Sequence, residues 1–77
     1  MITLTRSPIR DRYIWTNHLG TMDSMSKSEA IATGVWKLNI SKVEIQKAID
    51  LMVKLRYDIV MFSRGTIRSY RRADELL

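Results

Sequence analysis

The stretch SKVEIQKAIDLMVKL, Ser41 to Leu55, limits what this chain can fold into more than any other. Ile45, Ala48, Ile49, Met52 and Leu55 recur at i, i+3, i+4, i+7 and i+10, which draws one apolar stripe along a helix. Such a stripe must be covered, so the rest of the chain has to supply a packing surface. The helix is predicted over about 42–56. Ser41 and Glu44 open it as a capping box, the serine accepting from the third residue's amide and the glutamate reaching back to the serine's N–H. A second box, SKSE at Ser26–Glu29, opens a shorter helix over about 27–38. Ala30, Ile31, Val35 and Leu38 are its expected core face, with Gly34 weakening it from within.

Seventy-seven residues make a single domain, 1–77, with a core near the lower limit for independent folding. There is no cysteine, so disulfides and thiolate metal sites are excluded, which fits a reducing compartment. No apolar run has signal-peptide or membrane-span length, and a soluble, cytoplasmic chain without membrane contact is expected. His18 is the sole histidine, no glycine-rich phosphate loop occurs, and the acids are scattered. These absences argue against an enzyme, a metal site or a cofactor.

At the front, ITLT alternates apolar and polar residues and reads as a short edge strand over 2–5. Ser7-Pro8 then reads as a helix start and Gly20 as its stop. This predicts a first helix over about 8–19, through Ile9, Tyr13, Ile14 and Leu19. Tyr13, Trp15 and Trp36 are assigned to the core in preference to nucleobase stacking. Beyond Arg56 the period changes. YDIVMFS and TIRSYRR flank SRG, which predicts a hairpin over about 57–72 with a three-residue loop and a bulge at Gly65. The competing reading carries the preceding helix on through Ile59 and Phe62; the β-branched and aromatic run favours the hairpin.

Leu38 to Ile49 also has helix-turn-helix spacing. Leu38 ends one helix, Asn39 takes the turn, Ile40 plugs the core and Ser41 caps the next helix. Lys42, Val43, Gln46 and Lys47 are left facing outward. A helix meets the DNA major groove with its N-terminal turn nearest the base edges, and the Ser41 hydroxyl and free amides of that turn suit a phosphate. The formal charge is +5, and Ser63–Arg72 carries Arg64, Arg68, Arg71 and Arg72 with no acid. Such a cluster favours phosphate or an acidic protein surface.

The segment Leu38–Ile67 resembles the second half of the winged-helix DNA-binding domain of GntR-type bacterial repressors. Leu38, Ile40, Ser41, Lys42, Ile45, Ala48, Ile49 and Met52 fall into the family's register, and Arg64, Gly65, Thr66 and Ile67 match its Arg-Gly-Thr wing tip without a gap. Three positions depart from the pattern: Asn39 and Arg56 stand where the family has glycine, and Glu44 where a threonine often faces DNA. The resemblance implies an α+β winged helix, a three-helix core with a helix-turn-helix plus a C-terminal β-hairpin wing. It implies double-stranded DNA as partner and a bacterial or phage role in transcription or replication. Ser41, Lys42, Val43, Gln46 and Lys47 would lie on the recognition helix. Arg64, Gly65 and Thr66 would form the tip at a minor groove, with Arg68, Arg71 and Arg72 on flanking phosphates.

One such module buries only about 600–1,000 Å², so a homodimer on a two-fold site is expected. The N-terminal segment and the ADELL tail are its candidate surfaces. The rival expectation is a protein-binding adaptor on the same scaffold, marked by an apolar patch around Trp15, Trp36, Met22 and Met25. RNA binding through the basic hairpin is a third reading, without an aromatic ribonucleoprotein motif behind it.

Overall fold

β-Branched and aromatic residues are frequent between Ile2 and Asn17, and in the computed structural model, which describes residues 1–7 and 9–76, they form strands. The order is β1 (Ile2–Ser7), β2 (Arg12–Asn17), β3 (Gly20–Thr21), α1 (Lys27–Trp36), α2 (Lys42–Leu55), β4 (Ile59–Ser63) and β5 (Thr66–Arg71), followed by a 3-10 turn at Ala73–Leu76. The strands make one antiparallel sheet in the order β3-β2-β1-β4-β5. β1 is therefore central, with Leu4 opposite Trp15 on one side and Val60 on the other.

Strand periodicity decides the core. Leu4, Tyr13, Trp15, Val60 and Phe62 alternate onto one face and are buried with Ala30, Ile40, Ile45, Ala48, Ile49 and Met52 from the helical side. Trp15 sits at the centre: its indole Nε1 donates to Ala30 O at 2.9 Å and its ring lies 5.5 Å from that of Phe62. Gly34 makes this packing possible. A Cβ there would fall on the end of Ile45 and 2.8 Å from Trp15 Cζ2, so α1 continues through the glycine and closes onto α2 and the indole.

The α+β class describes this architecture, but the winged helix, a three-helix core with a C-terminal wing, does not: the described residues form two helices on one five-stranded sheet, and the expected wing hairpin is β4 and β5 of that sheet. Of the residues expected as the first helix, 8–19, those at 9–19 form the β1–β2 turn, β2 and the turn into β3. The reason is period. Tyr13 and Trp15 bury at i, i+2, while Ile9 and Leu19, needed inside by a helix, are exposed. Gly20, at φ 124°, serves a turn and not a helix stop. The reading of Pro8 as first helical residue falls outside the described residues. β1 also runs to Ser7 and is internal, not a strand at the edge.

Four further expectations are corrected. Ser26 makes its capping box, but Ser41 makes no side-chain cap bond to α2. Leu55 is 54% exposed and Trp36 85% exposed, so neither belongs to the core. Residues 59–71 form a hairpin and not a helical extension, yet its loop is the two-residue Arg64-Gly65, both at positive φ, as in a type I′ turn. The bulge lies at Arg68, because Phe62 pairs with Ile67 and Met61 with Ser69.

Candidate nucleic-acid interface

The turn between α1 and α2 sets the first part of the site. Lys37 N donates to Thr33 O and Ile40 N to Gly34 O, while Asn39 takes the left-handed conformation at φ 60°. Asparagine tolerates that region at little cost. The result drives Ile40 into the core and leaves Ser41 to begin α2 from the surface. Because the Ser41 side chain forms no cap bond, the first turn of α2 keeps backbone amides without a side-chain acceptor. Lys42, Val43, Gln46 and Lys47 are all exposed, and Glu44 is half-buried.

The hairpin tip supplies the second part. Thr66 Oγ1 donates to Ser63 O at 3.1 Å and braces the turn. The site of a Cβ on Gly65 lies 3.7 Å from Asn39 O, so the tip rests beside the α1–α2 turn. This contact brings Arg64, Gly65 and Thr66 to the same end of the molecule as Ser41 and Lys42. Arg64 itself sits at φ 55° and is exposed. Within Lys37–Lys47 and Ile59–Arg72, Glu44 is the sole acid against Lys37, Lys42, Lys47, Arg64, Arg68, Arg71 and Arg72.

The remaining arginines part company. Arg68 is the exposed extra residue of the bulge. Arg71 pairs across from Ile59, on the sheet face turned away from the helices. Arg72 is occupied: it lies 4.1 Å over the Tyr57 ring and donates to Leu55 O at 2.9 Å, closing the C-terminus of α2. Tyr57 is held in turn by an edge contact with Tyr70. Arg71 and Arg72 therefore lie apart from the surface formed by Ser41, Lys42 and Arg64.

Two ionisable groups have displaced pKa values, both away from this end. Burial pushes the Tyr13 hydroxyl up, with Arg6 partly opposing and Asp11 adding to the rise. Hydrogen bonds from the Ser26 backbone and side chain hold Glu29 below the ordinary glutamate range. Among the described residues no group of three or more His, Cys, Asp or Glu is placed to hold a metal ion, and no helix is long and apolar enough to cross a membrane.

Sequence reasoning missed Lys37, exposed at the C-terminal cap of α1, and Tyr70, 47% exposed and sharing a groove with α2. Lys37 was concealed by its place at the end of a predicted helix; Tyr70 was readable only from the strand alternation after the bulge. The likeness to GntR-type repressors rests on the Leu38–Ile67 residues alone. No protein-family model, curated protein or solved structure matches this chain.

Proposed function

We propose that this chain binds duplex DNA with the end of the molecule where α2 begins and the hairpin turns. The observation that carries the reading is the packing of Gly65 beside Asn39, which sets Arg64 next to an α2 N-terminus whose capping serine makes no cap bond. In this reading the first turn of α2 enters the major groove. Its amides and the Ser41 hydroxyl meet a phosphate, and Lys42, Val43 and Gln46 face base edges. Arg64 reaches the neighbouring minor groove, while Lys47 and Arg68 add phosphate contacts. Arg71 and Arg72 have no part in it. A regulator of transcription or replication, working where the DNA is, follows from such binding.

Fluorescence anisotropy with random and palindromic duplexes across a salt series tests this. Affinity should fall linearly on a log–log plot, with a slope of about −0.9 per phosphate contact. Lys42→Ala and Arg64→Ala should each weaken binding and lower the slope by about one contact, and Arg72→Ala should leave it unchanged. Absence of binding at about 50 mM salt, or equal slopes for all three variants, rules the interface out.

A second reading has one observation in its favour. Trp36 is 85% exposed at the end of α1, a costly place for an indole unless something covers it. A protein-binding adaptor would use it. The other members of the expected patch do not support that reading, since Trp15 is fully buried and Met22 and Met25 pack on the core. Trp36→Ser with undiminished DNA affinity would separate the two roles.

A further inference from the structure

Between α2 and β5 lies a groove of about 590 Å³. Its floor is apolar: Leu51, Leu55, Ile67 and Tyr70, with Leu55 54% and Tyr70 47% exposed. β5 is an edge strand of the sheet, so the groove opens onto a strand flank with no further strand beside it. The rim is charged, and its order is informative. Along α2 it runs Glu44, Lys47, Asp50, Lys54, which alternates acid and base.

Reversing that order gives base, acid, base, acid. A second α2 laid antiparallel therefore sets Glu44 against Lys54 and Lys47 against Asp50, and two-fold symmetry makes each pair twice. A parallel copy in the same register would set every charge against its like, so the pattern selects direction as well as partner. We propose that this groove is the docking surface for a second copy of this chain, with the two α2 helices antiparallel across a two-fold axis. The apolar floor supplies the buried area and the rim sets the register.

The charge balance argues for this occupant over others. The chain carries +5 overall, yet this rim holds two acids and two bases and is neutral. A polyanion or an acidic peptide finds no net attraction there. A like-charged copy meets it without the repulsion that the basic end would impose. The existing Asp50–Lys54 contact, 3.9 Å and exposed, exchanges for an intermolecular pair at little cost. The inference stands apart from the DNA reading, because Ser41, Lys42 and Arg64 lie beyond the groove and Lys47 alone is shared.

Sedimentation equilibrium of the full chain, from about 10 μM to about 1 mM, is the test. A monomer–dimer equilibrium is expected. Lys47→Glu and Asp50→Lys should each raise the dissociation constant about tenfold or more, since each places like charges opposite one another twice. The double variant Lys47→Glu/Asp50→Lys should return it toward the parent value. Leu55→Glu, at an exposed site on the floor, should weaken association as strongly, and circular dichroism should show all four variants folded. A monomer at every concentration overturns the proposal. So does a dimer indifferent to both single reversals, or a double variant no better than its parents.

Discussion

At its C-terminal end α2 is closed by arginines from elsewhere in the chain, whereas at its N-terminal end it is left open. Arg6 of β1 donates to Met52 O at 2.9 Å and to Asp11 at 2.6 Å; Arg72, after β5, donates to Leu55 O; the amides of Arg56 and Tyr57 both reach Leu51 O. The arginine bonds to Met52 O and Leu55 O use carbonyls that the helix itself cannot satisfy, and both donors carry the charge that the helix C-terminus favours. Ser41, by contrast, makes no side-chain bond, and Lys42 and Val43 stand exposed beside it. The difference separates cations that hold the fold from cations free to meet a ligand. Net charge alone does not make that distinction.

The contrast can be broken most directly at its closed end. Arg6→Ala removes a charged donor to a buried-end carbonyl and should cost about 1.5–3 kcal/mol in urea denaturation. The salt slope for DNA should stay as it was. Next comes Arg56, held in the left-handed region at φ 62°. Glycine there relieves about 1–2 kcal/mol of backbone strain and returns part of it as unfolded-chain freedom. Arg56→Gly should thus gain roughly 0.5 kcal/mol. A loss of stability would mean that the Arg56 side chain contributes to the corner.

A further comparison sets two serines side by side. Ser26→Ala removes a working N-cap and should cost about 1 kcal/mol; Ser41→Ala should cost no more than a few tenths. Equal losses would show that Ser41 caps α2 in solution. The Ser26 box is also sensitive to acid. The folded-state pKa of Glu29 lies below its unfolded value of about 4.5, so its contribution is complete above that value. It is lost as pH falls through the lowered folded value. Ser26→Ala should flatten this part of the acid unfolding curve.

These same residues show what local sequence conveys. The α2 stripe was readable through Met52, because helical spacing is a local property, but Leu55 fell where the groove leaves the stripe uncovered. The Ser26 and Ser41 motifs look alike in sequence, and only backbone geometry at the cap distinguishes them. The first third was misread because Ser7-Pro8 and Gly20 punctuate a hairpin as well as a helix. Ile14, apolar on the sheet's outer face, also blurred the alternation of Tyr13 and Trp15. In the candidate site, Arg64-Gly65 was readable as a turn. The roles of Arg71 and Arg72 were not, since the Arg68 bulge shifts which residues face the helices and the Leu55 carbonyl is distant in sequence.

The central position of β1 has a consequence for how the chain is made. Its pairing with β4 joins Ile2 to Phe62, sixty positions along the chain. During vectorial synthesis β1 and β2 leave the ribosome well before Ile59–Ser63, so one flank of β1 waits unpaired while both helices are made. Non-local pairing of this kind slows folding and leaves an open strand flank to compete for wrong partners. The last hairpin therefore does more than present Arg64: its arrival completes the sheet.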